Sequence, residues 1–343
     1  MNGGGWIVKR IRFLLFVLLV AAGTSRAQEE FTFAGEILRE TPVEAWASPD
    51  AGLRAEERVR VAFYNIEHFT DAEGDGPDRT LERATTQARG AAALVDEIRP
   101  DILLIAEIEN AASLRMLNDV LAEPFPFGWV TKFGDGSQNE DKLNNALLSR
   151  VPPLEVLELD YGPLQGRGRP PRGALRATFD LGGDHRLVVY AIHLKSNFGN
   201  RSRNMHLRKN ALQFLADDAR ELSKDESIRW EFLVLGDVNV DPEQGEFAGD
   251  WSLNPLRGWR DLWRGRPLHE RTTVPTRYGD PALEFPPAAF DRIYAGGDAT
   301  NAPWRAGEAE VLQRGTNTRN VKALPGVDGH VSDHYPVWVD VVR

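Results

Sequence analysis

The sequence predicts an α/β fold in which two β-sheets pack face to face with helices on the outside. Three observations predict it. Apolar runs alternate with helical stretches in the first half of the chain, apolar strands crowd together in its middle, and short strands close it. With 343 residues, 42% hydrophobic and 27% charged, the chain carries enough apolar material for a large core.

The N-terminus stands apart. Lys9, Arg10 and Arg12 precede an apolar run from Phe13 to Ala22, and Ser25 and Ala27 supply small residues one apart. This pattern predicts a signal peptide over 1–27, cleaved near Ala27, and a secreted or periplasmic protein. A retained anchor is the alternative, although the run is short for a span of ~20 residues. No later segment is long and apolar enough to cross a bilayer, so no stable membrane insertion is expected. Residues 28–57, with Pro42 and Pro49, predict a leader strapped to a domain over 58–343. The absence of cysteine excludes disulfides, thiol catalysis and cysteine-ligated metals.

The elements follow in order. "RVRVAFYNI" predicts a strand, and Leu81, Ala84, Ala88, Ala91, Val95 and Ile98 recur at helical spacing within a helix over 79–98. "DILLIAEI" predicts a strand, and 111–122 a helix. "NNALLSR", "LEVLEL", "ALRATFDL" and "HRLVVYAIHL" follow closely, as strands of one sheet would. A helix over about 203–223 leads to the strand "EFLVLGD", and "FDRIYAG", "AEVLQR" and "YPVWVDVV" complete the set.

Loss of residues 1–27 would remove four basic residues and no acidic one, moving the formal charge from -10 to -14. That balance excludes a general nucleic-acid coat. Two basic clusters run against it: Arg167, Arg169, Arg172 and Arg176, and Arg201, Arg203, His206, Arg208 and Lys209. Either would also serve as an ordinary solvated face.

Several apolar strands end in residues that carry chemistry. "FYNIEHF" brings Asn65, "LLIAEIEN" Glu107, "VYAIHLKS" His193 and Lys195, "LGDVN" Asp237 and Asn239, "FDRIY" Asp291, and "VSDHYPV" Asp333 and His334. Residues two apart on an extended chain share a side, so Asp237 and Asn239 are expected to point together. Each group alone has a plain reading as a turn, a surface carboxylate or a core histidine. Together, polar groups at the ends of buried strands need partners or a task. Phosphodiester hydrolysis supplies the task, since it requires a placed water, cations facing the non-bridging oxygens and stabilisation of the departing alkoxide.

The ordered set resembles the endonuclease/exonuclease/phosphatase superfamily, which includes pancreatic-type deoxyribonucleases, abasic-site endonucleases, bacterial sphingomyelinases and inositol-polyphosphate 5-phosphatases. The resemblance covers about 58–342 and implies a four-layer αββα sandwich with two mixed sheets. It implies Glu107, Asn65 and Asp333 on the metal side, with Mg²⁺ bound and Mn²⁺ able to substitute. It implies Asp237 as the group that activates the attacking water and Asn239 as its neighbour on water and phosphate. It further implies His334 on the scissile phosphate, Asp291 paired with it, and His193 as the second histidine. Lys195, Arg176 and Arg201 are the expected contacts to substrate phosphate. Two departures are Ala106, where the family usually has Gln, and Val240–Asp241, where its phosphatase branch favours Arg.

The expected function is therefore a metal-dependent phosphodiesterase, foremost a nuclease with nucleic acid as substrate and no protein partner indicated. A phospholipid, sphingomyelin or small-phosphoester hydrolase of the same fold is the alternative, and a catalytically silent binding module a third reading. Separately, Asp71, Glu73, Asp75 and Glu82 fall on positions 1, 3, 5 and 12 of an EF-hand-like calcium loop, with Gly76 at position 6. The same stretch also suits an acidic turn that leads a helix.

Overall fold

The computed structural model describes residues 38–40, 43–45, 57–73, 78–131, 143–159, 170–297 and 304–343. The expected signal peptide, residues 1–27, lies outside the described residues. In chain order, the leader gives β1 (Leu38–Glu40) and β2 (Val43–Ala45), followed by β3 (Arg58–Phe69), α1 (Leu81–Ile98), β4 (Ile102–Ile108) and α2 (Ala111–Asp119). Four closely spaced strands come next, β5 (Phe127–Val130), β6 (Asn144–Ser149), β7 (Pro153–Leu159) and β8 (Ala174–Gly182), then β9 (His185–His193) and the long α3 (Arg201–Leu222). The chain closes with β10 (Arg229–Asp237), β11 (Arg260–Asp261), α4 (Leu268–Arg271), β12 (Asp291–Gly297), β13 (Arg305–Val311) and β14 (Val337–Val342).

Two mixed sheets result, in the orders β1-β7-β8-β9-β10-β12-β11 and β13-β14-β3-β4-β6-β5-β2. Each is built around one parallel pair, β9 with β10 and β3 with β4, flanked by antiparallel neighbours. β1 and β2 add an edge strand to each sheet, against β7 and β5.

Strand alternation explains the layers. Val59, Val61 and Phe63 of β3 meet Leu187, Val189 and Ala191 of β9 and Leu233 and Leu235 of β10 in one core between the sheets. The intervening residues Ala62 and Tyr64, with Leu103 and Ile105 of β4, face outward and pack on Ala88, Ala91 and Val95 of α1 and Leu114 and Leu117 of α2. The helices start where capping chemistry puts them. Thr80 accepts from the Arg83 amide, Asn110 from Ser113 and Asn200 from Arg203. Arg99 ends α1 in the left-handed conformation.

The helix expected over 111–122 stops at Asp119, because Asn118 turns its side chain to the backbone of Phe125 and ties the exit loop instead. No helix of the described residues is long and apolar enough to cross a membrane.

Candidate active site

The inward face of each central strand is apolar until it reaches one end of the sandwich. Phe63 is followed on that face by Asn65, Ala191 by His193, Leu235 by Asp237, and Ile293 is preceded by Asp291. The register then aligns them. His193 stands beside Asp237 across the parallel β9–β10 pair, and Asp237 opposes Asp291 across the antiparallel β10–β12 pair. Gly236 lets β9 and β10 approach here, since a Cβ on it would meet the Ile192 carbonyl oxygen at 2.1 Å.

Glu107 breaks the alternation. Ala106 already faces the inter-sheet core, so the next residue should point to the helices. Instead Glu107 adopts φ 64°, and the ladder to both neighbouring strands slips between Ala106 and Ile108. This bulge turns the carboxylate back into the cleft, a strained arrangement of the kind found at functional sites. Glu67 (φ 51°), His68 (φ 49°) and Asn239 (φ 56°) share the left-handed region, so four such residues gather at one end of the sandwich. Gln87 of α1 secures the turn after Asn65 by donating to the carbonyls of Ile66, Glu67 and Val331.

The side chains converge on Asp237 and Glu107. Asn65 Nδ2 donates to Glu107 Oε1 at 3.0 Å and approaches Asp237 Oδ2 at 3.4 Å. His193 Nε2 lies 3.5 Å from Glu107 Oε1 and 3.6 Å from Asp237 Oδ2. His334 holds Asp291 Oδ2 through Nδ1 at 2.7 Å and turns Nε2 toward Asp237 Oδ2, 3.9 Å away. Asp291 is fixed in turn by Thr273 Oγ1 on its amide and Trp263 Nε1 on its carbonyl.

Asp237 Oδ1 accepts from the Asn239 amide at 2.8 Å, while Asn239 Nδ2 donates to the Leu194 carbonyl. The two side chains therefore do not run parallel, as a period of two would have it. β10 ends at Asp237, and Asn239 ties the chain to the end of β9.

Charge distributes unevenly. Burial pushes the Asp237 carboxyl up to about 7, with Asp291 and Glu107 adding repulsion and His334 opposing it. Burial disfavours the His334 cation, but Asp291, Asp333 and Asp237 outweigh that and hold it well above its usual value. His193 moves the other way, through burial and the cations Arg172, His334, His68 and Lys195, and stays neutral. Asp333 is pushed up to about 8, by desolvation and by the carboxylates of Glu67 and Glu107. Its side chain is 40% exposed at the cleft surface.

Among the described residues, no three His, Asp or Glu side chains stand in a finished ligand geometry. The donor chemistry nevertheless fits a hard divalent cation. Glu107, Asp237 and Asp333 offer carboxylate oxygens that repel one another, and thiolates are lacking altogether. Glu107 and Asp333 would hold such an ion; the Asn65 amide group instead presents its nitrogen to Glu107 and its oxygen to the Glu67 amide.

The basic residues expected on substrate phosphate fall differently. Arg176 is a correction: it lies on the outer face of β8, buried, bound to Asp218 of α3 at 2.7 Å and to Glu155 at 2.5 Å. Leu175 and Ala177 occupy the inward face, so Arg176 must face the helix. Lys195 lines the cleft, but its ammonium donates to Ser196 O, Ser196 Oγ and Phe198 O, which uses its three protons on its own loop. Arg201 is exposed on the first turn of α3 and donates to the Ala248 carbonyl. Of the calcium candidates, Asp71 accepts from Asn110 Nδ2 and the Glu73 amide, and Glu82 sits in the first turn of α1. Asp75 lies outside the described residues.

Two contributors, Glu67 and His330, were missed, and Arg172 was named only within a basic cluster. Glu67 Oε2 accepts from the Asp333 amide at 2.8 Å and meets His330 Nε2 at 2.7 Å. His330 Nδ1 accepts from the Asn317 amide, which places the ring proton on Nε2, facing Glu67. Arg172 donates to the carbonyls of His193 and Leu194, fixing the end of β9. Glu67 lies two residues beyond Asn65, and that spacing was the available signal.

The same architecture recurs in known proteins. The structure of D. rerio TDP2 complexed with a single-strand DNA product superposes with a TM-score of 0.57 at 17% identity, covering 84% of this chain and 100% of that one. Beta toxin from Staphylococcus aureus gives 0.56 at 16% identity over 82% and 99%. An endonuclease/exonuclease/phosphatase from Beutenbergia cavernae gives 0.51 at 19% identity over 84% and 72%. No curated protein matches by sequence. At these identities the likeness speaks for the fold. The model of the endonuclease/exonuclease/phosphatase family, however, matches residues 62–334, a span that opens within β3 and ends on His334 itself. With that match enclosing the whole cluster from Asn65 to His334, the chain belongs to the endonuclease/exonuclease/phosphatase family.

Proposed function

We propose that this protein is a metal-dependent phosphodiesterase that cleaves nucleic acid by in-line attack of a water placed by Asp237. Members of its family are hydrolases acting on phosphoester bonds. The observation that carries the reading is the junction of an Asp237 carboxyl raised to about 7 with a His334 imidazolium across 3.9 Å. One group can take a proton near neutrality while the other keeps its positive charge.

Asp237 is held by the Asn239 amide on Oδ1 and leaves Oδ2 facing the cleft, where it can orient a water and accept its proton. His334, aimed by Asp291, presents Nε2–H to a non-bridging phosphate oxygen. Neutral His193, within 3.6 Å of both carboxylates, adds a hydrogen bond without a second positive charge. A divalent ion held by Glu107 and Asp333 would polarise the phosphoryl group and offset charge on the leaving oxygen. The relative complexed with single-strand DNA product supports a nucleic-acid substrate, and a lipid phosphodiester, expected from the sequence as the alternative, is the second reading. The basic and apolar pattern over residues 9–27 supports export, which makes an extracellular or periplasmic substrate part of the proposal.

Activity is expected to vanish in EDTA and return with Mg²⁺ or Mn²⁺. Glu107→Gln should shift the metal midpoint upward at least ~10-fold, since it removes a charged ligand oxygen. Full activity after exhaustive chelation would refute the metal role. The pH profile has a definite sign. Asp237 works as the carboxylate, so kcat/KM should rise with pH through about 7. His334 works as the cation, so the rate should fall again as it deprotonates at higher pH. Raising the metal concentration should move the rising limb to lower pH, because a cation at Glu107 favours ionised Asp237. A rate that falls steadily from pH 5 to 8 contradicts the assignment of Asp237.

A further inference from the structure

The loop between β9 and α3 presents an aromatic side chain to water from a backbone that is held fixed. Phe198 is 80% exposed. Its carbonyl accepts from Lys195 Nζ at 3.2 Å and from the buried Asn204 Nδ2 at 2.9 Å. Next to it, Asn197 donates to the Asn239 carbonyl at 2.7 Å and accepts from Arg208 at 3.2 Å. Arg208 is itself buried, donates to the Lys195 carbonyl, and is anchored by Asp250 at 2.8 Å. A loop ordered this thoroughly could have turned Phe198 inward, where burying it would stabilise the fold. The ring instead stands on the wall of a cavity of about 560 Å³ that reaches down to Glu107 and His193.

The charge around that ring is of one sign. Arg172, Lys195 and Arg203 line the same cavity, and Lys195 is held below its usual proton affinity by burial and by Arg172, Arg208 and Arg203. Among the described residues of the lining, Glu107 on the floor is the single acidic one. A ligand matching this wall has a flat apolar face and an anion beside it, and it continues into the cleft where Asp237 and His334 meet. An unpaired nucleotide has that form, with the base offered for stacking and its phosphate beside the cations. A paired base has its faces covered by its neighbours. A bilayer would call for several exposed apolar side chains together, whereas among the described residues lining this cavity Phe198 is the one large hydrophobic side chain that is exposed.

We propose that Phe198 is a stacking platform for an unpaired base next to the scissile phosphate, with Arg203 facing the adjoining phosphate, so that the enzyme selects single-stranded nucleic acid over duplex. This rests on the nuclease reading given above and adds the strand state of the substrate. The test uses the full chain and a fluorescent single-stranded DNA 10-mer, with binding read by anisotropy in EDTA and cleavage with Mg²⁺. Phe198→Ala should weaken binding about 5- to 150-fold, the range of one base–aromatic stack, and Phe198→Trp should restore it.

A strand of abasic linkers of equal length should bind the wild type more weakly and respond little to the substitution. The loss in kcat/KM on the 10-mer should exceed the loss on bis-p-nitrophenyl phosphate at least 5-fold. If the wild type cleaves the 10-mer but Phe198→Ala binds and cleaves it equally well, the platform is wrong and the nuclease reading stands. If the variant instead loses only binding to phosphatidylcholine–sphingomyelin vesicles, Phe198 is a membrane contact and the proposal is overturned. If the wild type neither binds nor cleaves nucleic acid, the underlying reading fails and takes the proposal with it.

Discussion

Replacing Asp237 by Asn is expected to lower turnover at least ~100-fold while making the protein more stable. The first effect follows from geometry. Asparagine can keep the contact from the Asn239 amide at the Oδ1 position, so the cleft retains its shape, but it cannot take a proton from water. The second follows from the raised pKa. Asp237 is held at about 7 in the folded protein against an unfolded value near 4, so the folded state binds its proton more tightly. Below the unfolded pKa both states are protonated and nothing is lost. As pH rises from the unfolded value toward the folded one, the unfolded chain ionises while the fold keeps its proton, so stability falls, and above the folded value the full cost applies, on the order of a few kcal/mol. Asparagine never ionises and escapes that cost. Thermal unfolding at pH 8 in EDTA should therefore show a higher Tm for the variant, with the gap closing toward pH 4. Near wild-type turnover would remove Asp237 from the chemistry, and an unchanged Tm would mean that its surroundings are wetter than the packing suggests.

Such an opposition between function and stability marks the places where local rules read from sequence fail. Asn65, His193, Asp237 and Asp291 were legible because each continues the inward series of an apolar strand, and alternation alone carries it into the cleft. Glu107 was legible by identity, but alternation would have sent it to the helices. Its left-handed backbone corrects that, and a single residue's φ leaves no periodic trace. A left-handed backbone also misdirected Asn239, expected beside Asp237 and found tied to Leu194. Arg176 failed for the opposite reason. The alternation was present, with Leu175 and Ala177 inward, and counting arginines in a cluster ignored it. The layers themselves were readable because helical and strand periods differ so plainly. The edge strands β1 and β2, three residues each, are too short to show a period at all.

Asp241, noted in the sequence only where the phosphatase branch favours Arg, is completely buried, and its removal should be the most destabilising single change in the neighbourhood of the site. Its carboxylate accepts from Arg271 Nη1 at 2.5 Å, from Arg292 Nη1 at 3.4 Å, and from the amides of Ala289 and Glu243 at 3.2 Å each. Both guanidinium groups are buried as well. Asp241→Ala leaves them facing a void, with Arg292 still held by Asp261 at 2.6 Å but Arg271 left with the neutral Arg266 carbonyl at 3.0 Å and, as its remaining carboxylate, Glu243 at 3.6 Å. The expected loss is about 3–5 kcal/mol in urea unfolding, because an uncompensated buried cation costs more than the pair contributed. Asp241→Asn should lose less, since it keeps an acceptor for Arg271.

Activity well below the melting point should fall far less than in Asp237→Asn. Asp291 is the neighbour of Arg292, but Thr273 and Trp263 hold its backbone independently, so the Asp291–His334 bond can survive. Adding Arg271→Met to Asp241→Ala supplies the control. If stranded charge is the cause, the double variant should recover part of the lost stability, because the cation goes with its partner. A double variant weaker than Asp241→Ala by the full cost of a second lesion would show that packing around Arg271, and not its unpaired charge, holds this corner of the sandwich together.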